Sequence, residues 1–294
     1  MTTFLTMLIN GALVGLLYGM VAIGFGVIYR CSRVFNLAQG EFVVLGGFLV
    51  WFTVVELALP LYAALPLAFA LAALAGFTIE RVFFSRLIGE SVFAMVMMTI
   101  ALLIFLRGAV LVTFGPQVRT FPAILPTKPF MIEGVLIIGP LLYGGMIAII
   151  LGICLSLFFN RTRLGLSLTA VAEDHQTALD LGISVKNATA VAWVLGMLIA
   201  TLGAITHLNG KSINFLASDI GFIAIPVALL AGLESIGGML LAGALVGIAE
   251  KLTAKYVDPF VGASLGSVLP FVLMLLVLAL RPTGFFGWKT IERI

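Results

Sequence analysis

Uncharged apolar runs of about 20 residues, the length at which an α-helix crosses a bilayer core, recur from one end of the chain to the other. They predict membrane helices over residues 5–29, 42–59, 61–79, 92–114, 135–159, 187–206 and 262–280. The runs are rich in Leu, Ala, Ile and Phe and lack period-two alternation. They therefore read as helices, which satisfy their backbone internally, rather than as barrel strands. Two further runs, 220–232 and 238–250, are each about 13 residues long, too short to cross. Leu233-Glu234-Ser235-Ile236-Gly237 separates them. This pattern predicts either a broken or re-entrant helix pair, which needs protein or a water-filled cavity around its exposed backbone, or a loop between two tilted short spans. The fold class expected is an all-α, polytopic transmembrane helix bundle with about eight or nine membrane segments.

Composition agrees. Of 294 residues, 62% are hydrophobic and 10% charged, against about 25% charged in ordinary soluble domains, and the mean hydropathy is +1.23. The net charge of +3 would in a soluble protein raise nucleic-acid binding, but in a membrane protein basic residues mark cytoplasmic loops. Placing 161–186 in the cytoplasm also puts Arg30, Arg33, Arg81, Arg86, Arg161, Arg163, Lys186, Arg281, Lys289 and Arg293 there. The other side receives Arg119, Lys128, Lys211, Lys251 and Lys255, so an outside N-terminus is expected. Arg107 falls within a span, where snorkelling toward the outer surface is the expectation. The first run lacks a positive leader and exceeds a signal peptide's apolar core, so it reads as a retained span. No linker, low-complexity tract or internal repeat is evident, and residues 1–294 read as one domain. Cys31 and Cys154 stand far apart, with no metal-ligand spacing.

Three polar stretches change this picture. Gly115 to Gly134 holds Pro116, Pro122, Pro126 and Pro129, which predict an irregular, semi-rigid surface loop. The segment 161–186 is long and partly apolar. Asp174 can cap a short helix over 175–181 and Gly182 can supply a left-handed exit, with Leu164, Leu166, Leu168 and Val171 leading in. Those apolar side chains need a cover, either the protein's own helix ends or a docked soluble subunit. Finally, Asn36, Gln39 and Glu41 mix with apolar neighbours closely enough for 34–41 to dip into the bilayer, although a plain helix boundary explains them too. Gly11, Gly15 and Gly19, and later Gly243 and Gly247, recur every fourth residue and predict faces for close helix packing.

Enzyme-like strings do not hold. Gly262-Ala263-Ser264-Leu265-Gly266 matches a hydrolase elbow, but it opens an apolar helix and both His175 and His207 precede it. Asn209-Gly210-Lys211-Ser212 resembles the end of a phosphate loop, yet the first glycine would have to stand where Ile205 does. His175 beside Glu173 and Asp174 reads as a solvated helix start rather than a metal site. No catalytic, cofactor or metal residues are expected.

Beyond these physical readings, the chain resembles, nearly end to end, the LivH-type permease subunits of bacterial ABC importers for branched-chain amino acids. Asn36-Leu37-Ala38-Gln39-Gly40-Glu41 is similar to that family's Asn-Phe-Ala-His-Gly-Glu, with Leu37 for the aromatic and Gln39 for the histidine. Thr162-Arg163-Leu164-Gly165, Ala170-Val171-Ala172-Glu173-Asp174 and Leu181-Gly182-Ile183 resemble the loop that contacts the ATPase. Residues 231–238 and 281–287 are similar to a Gly-Gly-Leu-Gly-Ser-Ile-Pro-Gly stretch and to a C-terminal Arg-Pro-x-Gly-Leu-Phe-Gly, with Glu234 and Gly237 departing from the first. The resemblance implies a second permease subunit, two cytoplasmic ATP-binding subunits that hydrolyse the ATP, and a periplasmic solute-binding protein. It makes Arg163, Gly165, Glu173, Asp174 and Gly182 the ATPase-coupling loop, and Asn36, Gln39, Glu41, Glu234 and Ser235 candidates for the translocation pathway. The solute would be a branched-chain or related small amino acid, with urea, other amides or small carboxylates as alternatives. The rival is an ion-coupled secondary transporter, which needs buried charge, whereas only Glu56, Arg107 and Glu250 are expected in or near spans.

Overall fold

The computed structural model describes residues 2–173 and 175–287. Among these, seven helices are long and apolar enough to cross a membrane and two shorter ones are apolar. In order they are α1 (Thr2–Ser32), α2 (Gln39–Trp51), α3 (Leu61–Ile79), α4 (Val92–Phe114), α5 (Gly139–Arg161), α6 (Arg163–Glu173), α7 (His175–Asp180), α8 (Val185–His207), α9 (Asp219–Ala231), α10 (Ile236–Tyr256), α11 (Asp258–Val261) and α12 (Leu265–Leu280). Wider π-helical turns extend α2 to Glu56 and α3 to Phe84. Ser91, Ser184 and Ser235 cap α4, α8 and α10, each accepting a bond from a first-turn backbone N–H.

The broken pair needs correction. α9 is a 13-residue half-helix, but its partner α10 is a full span of 21 residues. The second half-helix lies elsewhere: α2, whose backbone returns into the bundle before it begins. After α1 ends, residues 33–38 run back along it until Phe35 stacks on Phe25 at 5.1 Å and the Gln39 side chain lies over Gly24. Eight residues of helix separate Gly24 from the end of α1, so α2 starts about 12 Å inside the bundle.

The chain also has a repeat that its sequence conceals. α1 packs on α8, α9 and α10, while α8 packs on α1, α2 and α3. α1 and α8 are antiparallel, with Val21 at Gly203 and Ile28 at Gly196. The sets α1–α2–α3 and α8–α9–α10 are thus two inverted copies of one plan: long helix, half-helix, long helix. The two copies share spacing and small-residue faces but not residue identity, so no repeat is visible in the letters. Each copy's third helix docks through small residues. Gly11, Gly15 and Gly19 meet Gly247, Gly243 and Met239, and a Cβ added at Gly11 would stand 2.9 Å from the Gly247 carbonyl oxygen. Ala64, Ala68, Ala72 and Gly76 are the buried face of α3 against α8. The spacing of the glycines is therefore a packing device.

α1 and α8 form the centre, with 78% and 72% of their apolar windows buried, against 22–28% for α3, α4 and α5. The outer three expose apolar side chains, among them Phe93, Ile104, Phe105 and Ile150. The loop before α5 is more ordered than its prolines predict. β2 (Phe130–Ile132) and β3 (Val135–Ile137) form a hairpin, and β1 (Arg119–Thr120) pairs with β4 (Ser212–Ile213). Asn209 Oδ1 accepts the backbone N–H groups of Ile124 and Leu125 at 2.7 and 2.8 Å, and Phe121 is fully buried.

Candidate translocation and coupling sites

At mid-depth the N-termini of α2 and α9 cross. Gly40 and Gly221 let the two backbones touch: a Cβ on Gly40 would stand 2.7 Å from the Ser218 carbonyl oxygen. Asn36, Gln39 and Glu41 are all brought here, each at most 1% exposed. Asn36 Oδ1 accepts the Ala38 N–H at 3.1 Å and its Nδ2 donates to Gln39 Oε1 at 3.3 Å. Gln39 Nε2 donates in turn to the Gly196 carbonyl at 3.4 Å, tying the start of α2 to α8. Two of these three candidates, the amides Asn36 and Gln39, are thus committed to holding the re-entrant backbone.

Glu41 is different. It sits in the first turn of α2, where the helix dipole favours a negative charge. Arg107 of α4 donates to its Oε1 through Nε at 3.0 Å and Nη2 at 2.6 Å, and Nη2 also donates to Ser218 Oγ at 3.0 Å. Arg107 does not snorkel outward as expected, because an interior carboxylate is within its reach. The second carboxylate oxygen of Glu41 is buried without a hydrogen-bond partner. A narrow cleft bounded by Leu37, Leu103, Phe222 and Ile225, with Glu41 and Ser218 at its polar end, opens beside it.

Of the remaining charges, Glu250 lies within α10 as expected, and two depart from expectation. Glu56 is exposed, whereas Glu80 is fully buried and accepts from Thr189 Oγ1 at 2.9 Å. Glu250 accepts from Tyr18 OH at 3.4 Å. The Glu80 and Glu250 carboxylates are each held through one oxygen, and the other oxygen of each, like that of Glu41, is buried without a hydrogen-bond partner.

A second cluster lies at the end of α1. The expected coupling segment holds two helices, α6 ahead of the expected short helix α7. α6 is amphipathic: Gly165, Leu168, Val171 and Ala172 are buried, while Leu164 and Leu166 are exposed, as are Leu179 and Leu181 beyond. Gly165 packs against the end of α5, and its Cβ would stand 2.6 Å from Phe159 Cα. Gly182 has the left-handed φ of 77° that the exit from α7 requires. Arg163 and Glu173 are exposed. Asp174, the expected cap, lies outside the described residues.

Arg33, with a φ of 54°, joins this loop to the bundle. Its Nε donates to the Ala172 carbonyl at 3.1 Å, its Nη1 pairs with Glu234 in the α9–α10 turn, and its guanidinium lies 5.5 Å from the Tyr29 ring. Burial opposes the charge, but Glu234 outweighs it and holds the guanidinium above its ordinary pKa. Glu173 and Glu234 therefore share one cleft with Arg30, Arg33 and Thr169, so Glu234 stands with the loop rather than with Glu41. Ser235 caps α10 through its hydroxyl. The 281–287 stretch closes the same end: Phe285 and Phe286 N–H groups donate to the Leu230 and Ala231 carbonyls that α9 leaves open. Arg107 was readable as a charge inside an apolar run. Arg33 and Ser218 carried no signal, since their partners lie far away in sequence.

Paired half-helices meeting at mid-depth, in two inverted copies, define a multi-pass membrane bundle of the solute-passing kind. The chain belongs to the family described as branched-chain amino acid transport system / permease component, whose family model matches residues 7–278. It is 31% identical to the high-affinity branched-chain amino acid transport system permease protein BraD of Pseudomonas aeruginosa over 99% of this chain and 98% of that one. It is 26% identical to LivH of Salmonella typhimurium, over 99% of this chain and 98% of that one. It is also 26% identical to a probable LivH of Methanocaldococcus jannaschii, over 98% and 95%. The chain is thus a permease component and not an enzyme. Such a permease works in general with a second permease, ATPase subunits and a solute-binding protein.

Proposed function

We propose that the chain is one of two permease subunits of an ATP-driven importer that carries branched-chain or related small amino acids across a bacterial inner membrane. Its N-terminus lies outside and residues 161–186 lie in the cytoplasm. Two ATP-binding subunits grip α6 and α7, a periplasmic binding protein delivers the solute to the opposite face, and Glu41 lines the passage. The observation that carries this reading is the Arg33 junction. One side chain bonds the end of α6 and the α9–α10 turn together, so a push on the loop reaches the half-helix α9 directly. The exposed Leu164, Leu166, Leu179 and Leu181 offer the apolar face a soluble subunit would cover.

The test is uptake by the whole complex in proteoliposomes. Leu166→Asp with Leu181→Asp should abolish ATP-dependent uptake of leucine and release the ATPase from the complex. Uptake that persists without any ATPase would make the chain a secondary carrier instead.

A further inference from the structure

Glu41 uses only one of its two carboxylate oxygens. Arg107 takes Oε1 twice, and Oε2 remains buried without a hydrogen-bond partner in a side chain only 1% exposed. An orphaned anionic oxygen in a low-dielectric interior is costly unless a donor reaches it. Glu80 and Glu250 carry one too, but only Glu41 stands in the cleft between the two half-helices. The same carboxylate lines the cleft between α2, α4 and α9. The cleft has two poles. At one end are Glu41 and Ser218, with the first turns of two half-helices, whose positive dipole ends favour negative groups. Glu41 occupies that of α2, while Asp219 in the first turn of α9 is exposed. Along its length stand Leu37, Leu103, Phe222 and Ile225, all apolar.

We infer that this cleft is a resting station for a small zwitterion with an aliphatic side chain. The solute's ammonium donates to Glu41 Oε2, its carboxylate faces the first-turn amides of α2 and α9, and its side chain lies along the apolar wall. Arg107 is a positioning residue, which holds the carboxylate so that Oε2 faces the solute. The inference rests on the reading of the chain as an amino-acid permease, and adds that the permease itself recognises the ammonium end. The cleft is narrow in this conformation, so the station requires α9 to move before the solute can enter.

The experiment measures ligand binding to the purified permease–ATPase complex in nanodiscs, without nucleotide or binding protein, by saturation-transfer NMR. The probes are L-leucine, 3-methylbutylamine, which lacks the carboxylate, and 4-methylpentanoate, which lacks the ammonium. L-leucine should bind saturably, 3-methylbutylamine more weakly but detectably, and 4-methylpentanoate at least ten-fold more weakly than L-leucine. Glu41→Gln should weaken L-leucine binding at least ten-fold and Glu41→Asp should restore part of it. The ligand series on the unmodified protein decides the matter even where a variant does not assemble. Equal binding of L-leucine and 4-methylpentanoate, or no saturable binding by a complex that does take up leucine, overturns the station. Failure of the unmodified complex, supplied with its binding protein and ATP, to take up any branched-chain amino acid would overturn the permease reading instead.

Discussion

Two arginine–carboxylate pairs hold this bundle at different depths. Glu41 and Arg107 meet with the carboxylate 1% and the guanidinium side chain 34% exposed, whereas Arg33 and Glu234 meet at the rim, with side chains 39% and 15% exposed. The two pairs thus differ in the burial of the carboxylate. The chemistry is the same and the solvent is not. In the interior the Glu41 carboxylate depends on Arg107, because it cannot be hydrated when left alone. At the rim water can replace either partner, so the pair contributes little to stability and what it fixes is position. The inner pair is thus built into the folded state, and the outer pair is placed where it can transmit a motion.

This contrast predicts a graded series. Arg107→Met should cost about 3–5 kcal/mol by stranding the Glu41 carboxylate, and Arg107→Met with Glu41→Gln should recover part of that loss; thermal unfolding in detergent checks both. Equal losses from the single and double variants would mean that the pair is not interdependent. Gly15→Val, which forces a side chain against the Gly243 backbone, should cost about 1–3 kcal/mol. Gly182→Ala should cost about 1 kcal/mol through its left-handed φ. Arg33→Ala should cost less than about 1 kcal/mol and yet sharply reduce leucine uptake per ATP hydrolysed. A large stability loss from Arg33→Ala would erase the distinction between the two pairs.

How much of this was legible from the sequence depended on range. Helices such as 92–114 could be read to the residue, because a run of apolar side chains in lipid needs nothing beyond its own backbone. The α1–α10 seam was legible as glycine spacing, and the Gly182 exit as a single residue with one conformation to supply. The re-entrant start of α2 was readable from Asn36, Gln39 and Glu41 only as a polar anomaly, since the groups that satisfy them, the Gly196 carbonyl and Arg107, are 157 and 66 residues away. Glu80 was hidden for the same reason: beside Arg81 it looks like a helix boundary, and only Thr189, across the bundle, makes it an interior group. The inverted repeat left no trace in the letters because both copies need only small faces and apolar ones, which many residues supply.

The central claim is that α6 and α7 stand on the cytoplasmic face, where a motor subunit can move them. It is tested most directly by cysteine labelling with a membrane-impermeant maleimide, in a chain whose Cys31 and Cys154 are replaced by Ala. Leu181 and Val118 are exposed at opposite ends of the bundle. Leu181→Cys should react in inside-out vesicles and stay silent in intact cells, while Val118→Cys should do the reverse. Labelling of Leu181→Cys from outside intact cells would contradict the account.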